Sequence, residues 1–257
     1  MLNEGDIKAA VIDRLFKSEA LDDAVLINEM VIANWSRRAD LVVANGRLHA
    51  YEIKSDLDSL RRLRGQLETY LARFDKVTVV STPRFIREIQ DLADPRVEIW
   101  SAEELSSGVT TKIVRRGVSV NVQNKKVLCG YLLKTELVGL LTSRGAVADT
   151  DMARCDLESA VERLPVAVVR RFVLTSLKVR YKATFDVFCD QRSGATKPQD
   201  LFCLSKLSRR EASIPIDAPQ LARTVDPATI SRIDLRALAE KYGPLPIDMP
   251  QFVLKRA

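Results

Sequence analysis

The chain holds one histidine, His49, and four cysteines, Cys129, Cys155, Cys189 and Cys203. No two cysteines form a Cys-x-x-Cys pair. A structural zinc site needs clustered thiols and imidazoles, so this usage argues against one. Reduced, mostly buried cysteines of a cytoplasmic protein are expected instead. No apolar run approaches the ~20 residues of a membrane span. The opening MLNEGDIKAAV lacks the uninterrupted apolar core of a signal peptide. There is no internal repeat and no collagen-like tract. The expectation is therefore a cytoplasmic protein with no membrane contact.

Ample apolar material is present. The 257 residues are 46% hydrophobic, enough for one large domain or two small ones. The net charge of +6 is unevenly spread. Residues 1–104 carry 15 Lys and Arg against 19 Asp and Glu, and residues 105–257 carry 25 against 15. An acidic half is joined to a basic half. A basic field attracts phosphates and releases their counterions, although a solvated basic surface accounts for the excess equally well.

The stretch from Asp40 to Tyr70 organises the rest. Asp40 opens an apolar, β-branched run, and Asn45-Gly46 is a strong hairpin signal. From Leu48 to Lys54 the residues alternate, so Leu48, Ala50, Glu52 and Lys54 share one face. His49 alternates away from that face, which suits a packed or surface histidine better than a ligand. Parity decides whether Asp40 joins Glu52. A two-residue loop puts them on opposite faces. A three-residue loop, Ala44-Asn45-Gly46 with Gly46 left-handed, or another bulge of the same parity, puts them together. We expect the latter, with Val43 pairing Arg47 and Asp40 diagonal to Glu52.

A helix over about 57–74 follows, with an apolar stripe of Leu57, Leu60, Leu63, Leu67, Leu71 and Phe74. Ser55 or Asp56 caps it, and Gln66 and Tyr70, four apart, lie on one face. Val77 to Ser81 then reads as a buried strand parallel to the one before.

Asp40, the Glu52-Ile53-Lys54 triplet and Gln66-x-x-x-Tyr70, in this order of elements, resemble the PD-(D/E)XK nuclease superfamily across about residues 1–105. The stretch GRLHAYEIKSD, a helix and FDKVTVV is similar to a bacterial family of uncharacterised proteins placed in that superfamily. Ala39 departs from the superfamily's proline. The bare Asp…Glu-x-Lys motif is weak, because strands often end in charged residues. The ordered context strengthens it.

The resemblance implies a restriction-endonuclease-like α/β fold, a mixed sheet flanked by helices. It implies a Mg²⁺ site, in which Mn²⁺ may substitute, on Asp40, Glu52 and the Ile53 carbonyl. It gives catalytic roles to Asp40, Glu52, Lys54, Gln66 and Tyr70. Glu29, inside an early apolar strand, is the candidate for a further metal-binding acid, with Glu4 and Asp6 as rivals. The implied activity is a nuclease on DNA. A non-catalytic nucleic-acid-binding or complex-assembly module on the same fold is the alternative, and a transcription regulator acting through residues 131–182 is a third reading. A protein partner or a homodimer is compatible with each.

Before this stretch, Asn3 or Asp6 starts a helix with Ile7, Ala10, Val11 and Leu15 inward, and residues 24–33 form a strand. After it, Thr82-Pro83 opens a helix, residues 97–100 form an edge strand, and Ser101–Leu105 reads as a cap and a turn of helix. Ser106-Ser107-Gly108 is the expected boundary between a nuclease-like domain (1–105) and a basic, mainly helical domain (106–257). That second part reads as an extended basic segment over 112–127 and helices over 131–142, 156–163 and 165–181. A short strand follows at 185–189, then a loop-rich stretch, and a last helix at 229–242. The helices suit a helix-turn-helix or a plain bundle. Arg37, Arg38 and Arg62 in the first half, and Arg170, Arg171, Lys178, Arg180 and Lys182 in the second, are the candidates for phosphate contact.

Overall fold

The computed structural model describes residues 1–32, 37–106, 108–204, 230–232 and 252–254. The chain divides into two compact units, 1–213 and 214–257. In the first, α1 (Glu4–Lys17) starts at Asn3, whose side chain accepts the Asp6 N–H at 3.0 Å while the Asp6 carboxylate accepts the Asn3 N–H. This reciprocal cap satisfies two orphan donors. Three antiparallel strands follow: β1 (Val25–Ile32), β2 (Arg37–Ala44) and β3 (Leu48–Lys54). Then come α2 (Leu63–Leu71), β4 (Lys76–Ser81), α3 (Pro83–Leu92), β5 (Glu98–Leu105) and β6 (Gly108–Arg115). The six strands form one sheet in chain order. β3, β4 and β5 are parallel, as the intervening helices require, and β6 returns antiparallel.

The two helices beside the motif cover opposite faces of the sheet. Arg14 of α1 lies 4.6 Å over the Trp100 ring, on the face that carries Tyr51. Tyr70 of α2 reaches Glu52 on the other.

Several expectations shift. The helix expected over 57–74 is confined to Leu63–Leu71. Ser55 donates its backbone N–H and its hydroxyl to Asp58, and this local bonding holds residues 55–58 in a turn. Leu57 is consequently exposed rather than part of the stripe, and neither Ser55 nor Asp56 is the cap. Residues 101–105 are strand, and β5 is not an edge because β6 pairs with it. Leu105 pairs with Gly108, which sits at φ 113°, so the boundary expected at Ser106-Ser107-Gly108 falls between two paired strands of the sheet. Residues 185–189 continue a helix. Of the cysteines only Cys129 is buried, and all four are free thiols.

Four helices complete the first unit: α4 (Lys125–Cys129), α5 (Lys134–Thr142), α6 (Arg154–Val161) and α7 (Val166–Gln191), followed by a 3-10 segment, Pro198–Leu204. α7 packs on β1 and β2 with Val169, Val173, Leu177, Phe185 and Phe188 buried. The longest helix of the basic half thus spends its apolar face on the sheet edge, so the helices do not form the separate domain expected from 106 onward. In the second unit, β7 (Ile230–Arg232) pairs antiparallel with β8 (Phe252–Leu254). Residues 230–232 are strand where a helix over 229–242 was expected; the rest of that segment, and the loop-rich stretch from 205, lie outside the described residues.

Asp75 ties the helices to the sheet. It is 2% exposed and accepts the backbone N–H of Leu48 and of Val122, each at 2.8 Å. Arg170 of α7 grips it with both terminal nitrogens, at 2.7 and 3.0 Å. The chain between β6 and α4 follows this anchor closely. A Cβ at Gly117 would sit 2.6 Å from the Glu98 nitrogen, so glycine is required there. Removing Arg170 strands a buried charge, which costs about 3–5 kcal/mol. Arg170→Met is therefore expected to lower the unfolding free energy by about that amount in urea titrations, and a loss below ~1 kcal/mol would show that the clamp is dispensable.

Candidate active site

The hairpin between β2 and β3 has the parity the site requires. Ala44 pairs with Leu48 and Leu41 with Tyr51, leaving a three-residue loop, Asn45–Arg47, with Gly46 at φ 62°. The loop is one residue later than expected, and its parity is the same. Extended by one step, this register sets Asp40 directly opposite Glu52 rather than diagonal to it. On the other side of β2, Asn28 pairs with Leu41 and Met30 with Ala39, so Glu29 faces Asp40. Three carboxylates from three strands thus stand in one row.

Glu52 is 1% exposed, and an isolated charge there would be costly. Three side chains answer it. Lys54 donates to Oε1 at 2.7 Å, Gln66 donates to the same oxygen at 2.6 Å, and the Tyr70 hydroxyl lies 2.7 Å from Oε2. The four-residue spacing on α2 places Gln66 and Tyr70 together, as expected. The Tyr70 hydroxyl also reaches the Arg38 carbonyl oxygen at 2.8 Å, tying α2 to β2. Burial and the Glu52 charge push its pKa up, so it stays a donor. Asp40 accepts the Ile53 N–H at 2.7 Å. Burial, with Glu52 adding, raises its carboxyl from the ordinary 3.8 to about 8 against the opposing pull of Lys8.

A carboxylate offers about four lone-pair positions. Glu52 uses three, and Asp40 uses one among the described residues. The row therefore keeps acceptor capacity, all of it hard oxygen, beside the Ile53 carbonyl. That donor set fits Mg²⁺, and a divalent charge would offset the burial and the Glu52 repulsion that raise the Asp40 pKa.

Glu29 lies beside this pair at φ 56°, a backbone that side-chain-bearing residues seldom adopt. It pairs with Lys8 of α1 and with Arg38. Lys8 and Glu4, four apart on α1, complete the surroundings. Lys8 is a residue the sequence reading passed over.

The arginines divide into two groups. Arg170 is committed to Asp75, and Arg180 to Glu136 and the Tyr131 carbonyl, so these two hold the fold rather than offering themselves to phosphate. Lys178 pairs with Asp23, and Lys182 with Asp186. Arg62 and Arg171 are exposed without an acidic partner among the described residues, and Arg37 and Arg38 sit exposed at the start of β2.

Arg37, Arg38 and Glu29 also line a groove of about 1400 Å³ that continues past Arg73, Lys126, Arg154 and Arg180. Six basic side chains face Glu29 and Glu158 there. Arg73 was not among the expected phosphate contacts, and Lys126 lies in the basic segment expected over 112–127. Each pairs with no acid among the described residues.

His49 belongs to the opposite face. Thr78 donates its hydroxyl to Glu98 at 3.1 Å, so it must accept from His49 Nε2 at 2.7 Å. Nδ1 is then the acceptor for the Tyr51 hydroxyl at 3.0 Å. Burial, helped by Lys76 and Arg47, holds this imidazole neutral, well below its usual pKa. It is a packed histidine, as its alternation implied.

The family model described as Bacteriophage P4 protein cII matches residues 1–205. Protein cII of Enterobacteria phage P4 is 39% identical over 258 residues, covering 100% of this chain and 98% of that protein. Among solved structures, a Silicibacter pomeroyi protein of unknown function is 19% identical with a TM-score of 0.36, covering 47% of this chain and 76% of its own.

The Asp40 shift carries a sign. The folded state binds this proton up to about pH 8 and the unfolded state only to about 3.8, so stability falls as pH rises between them. Asp40→Asn removes that slope. Urea titrations in EDTA from pH 4.5 to 8.5 are expected to show wild type losing stability relative to Asp40→Asn as pH rises. Parallel curves would mean that Asp40 is an ordinary carboxylate.

Proposed function

The chain belongs to the family of bacteriophage P4 protein cII, and we propose that it is a Mg²⁺-dependent nuclease that hydrolyses phosphodiester bonds in DNA. The observation that carries this reading is the buried Glu52 with its three donors, set beside Asp40 on the same face. The order α1, β1–β3, α2, β4 supports it, being the order that the PD-(D/E)XK resemblance implies. Among the described residues no helix is long and apolar enough to cross a membrane.

Asp40, Glu52 and the Ile53 carbonyl would hold the metal, which when bound polarises the phosphate and lowers the pKa of its water. The remaining work belongs to side chains. Gln66 and Tyr70 fix the Glu52 carboxylate in one orientation. Lys54 gives one of its three donors to Glu52 and, among the described residues, keeps two for a water or a phosphate oxygen. Its charge offsets the negative charge that grows on the phosphoryl group as the water attacks. The groove, larger than the ~300–1,000 Å³ usual for small ligands, suits a polymer, and its basic excess suits phosphates.

Glu52→Gln and Lys54→Met are each expected to reduce Mg²⁺-dependent cleavage of plasmid or single-stranded DNA at least ~100-fold. Cleavage retained by rigorously purified Glu52→Gln protein overturns the reading. DNA binding without any Mg²⁺ or Mn²⁺ binding in calorimetry would favour a non-catalytic module instead. Groove contacts are separable from clamps by salt dependence. Arg73→Gln and Lys126→Gln should each flatten the plot of log affinity against log salt by roughly 0.7–0.9. Arg180→Gln, by contrast, should lower thermal stability, since its partners are Glu136 and Tyr131.

A further inference from the structure

Lys8 is a buried lysine on α1, 3% exposed, that no motif marked. Its ammonium lies 2.6 Å from Glu4 Oε1 and 3.2 Å from Asn28 Oδ1, and it pairs with Glu29. A lysine has three N–H donors, so these acceptors use all of them. Around it, Glu4, Glu29 and Asp40 each bring a carboxylate oxygen within 4.8 Å of the others. The oxygens come from α1, β1 and β2, so three separate elements converge on one point. Burial works against the Lys8 charge, yet Asp40, Glu29 and Glu4 more than offset it and hold the pKa above its usual value. Glu29 reaches this point from its left-handed backbone, a local strain held by the surrounding pairs.

Oxygens gathered this closely are what a second divalent ion would take in a two-ion site. Here the side chain of Lys8 is already among them. Resting on the metal-dependent reading above, we propose that the Lys8 ammonium fills the second cation position, so that the protein takes one divalent ion, on Asp40 and Glu52. Lys8 is then a positioning residue. It neutralises Glu4 and Glu29 and leaves Asp40 and Glu52 as the only acids of the row available to metal.

The test is calorimetric titration of the full chain with Mn²⁺, wild type against Lys8→Gln, with circular dichroism confirming the fold of each. One ion for wild type and two for Lys8→Gln is the expected result. Two ions in wild type, or one in both proteins, overturns the inference while leaving the metal-dependent reading intact. No ion in wild type and one in Lys8→Gln upholds Lys8 as the resident cation and removes the metal-dependent reading. No ion in either removes both. Should Lys8→Gln fail to fold, Glu4→Gln decides, since Glu4 is half exposed. It is expected to leave Mn²⁺ affinity within about threefold, and a loss of the roughly 10–100-fold that follows removal of a metal-supporting group overturns the inference.

Discussion

A carboxylate buried in the middle of a sheet is tolerated only where donors surround it, and Glu52 sets that condition for its neighbours. Gln66 and Tyr70 must face it, which fixes the rotation of α2 about its axis. Lys54 must follow two residues on along β3, so the strand has to stay regular to its end. Tyr70 also touches the Arg38 carbonyl, so the same contact holds β2 against the helix. Asp40 is brought alongside by the odd, three-residue length of the Asn45–Arg47 loop, and a slip of one residue would turn it to the other face.

The basic half serves the fold first. Its charge excess suggested a surface for phosphate, yet the forks of Arg170, Arg180 and Arg154 are spent on Asp75, Glu136 and Glu158 and on nearby carbonyls. Guanidinium suits such sites because its planar donors can satisfy a carboxylate and a carbonyl together. Net charge already cancels the Arg180–Glu136 and Arg154–Glu158 pairs, so what it cannot show is which basic side chains the fold has committed. The cations left over at the groove, Arg73 and Lys126, come from just after α2 and from the short α4, and of the two only Lys126 lies in the basic segment expected over 112–127.

Local pattern carried the strands well. Alternation in Leu48–Lys54 and the Asn45-Gly46 turn put Asp40, Glu52 and Lys54 on one face from the sequence alone, because period and parity are properties of neighbours in sequence. The early end of α2 was harder to see. The leucine spacing continued through Leu57, but Asp58 bonds back to Ser55 and breaks the helix there. The β5–β6 hairpin was missed for a similar reason, since Ser101–Leu105 reads locally as a cap and becomes strand only when β6 pairs with it. Lys8 was legible in part. Its spacing from Glu4 is a helical pair, but that Glu29 and Asp40 join them depends on how α1 meets the sheet.

The two faces of the sheet hold polar networks of different kinds, and the difference bears on function. On the α1 face the chain Tyr51, His49, Thr78, Glu98 runs donor to acceptor and Lys76 donates to Glu98 from the other side, so both His49 nitrogens, the Thr78 hydroxyl and Glu98 are each answered. Such a network is complete in itself, and packing alone explains it. On the α2 face the donors around Glu52 orient it, yet Asp40 keeps unused acceptor positions and Lys54 keeps unused donors among the described residues. Structure alone gains nothing by leaving polar capacity open beside a buried charge. A site that must receive an ion, a water and a phosphate needs that capacity. The closed network is therefore read as framework, and the open one as the capacity that the proposed metal-dependent reaction would need.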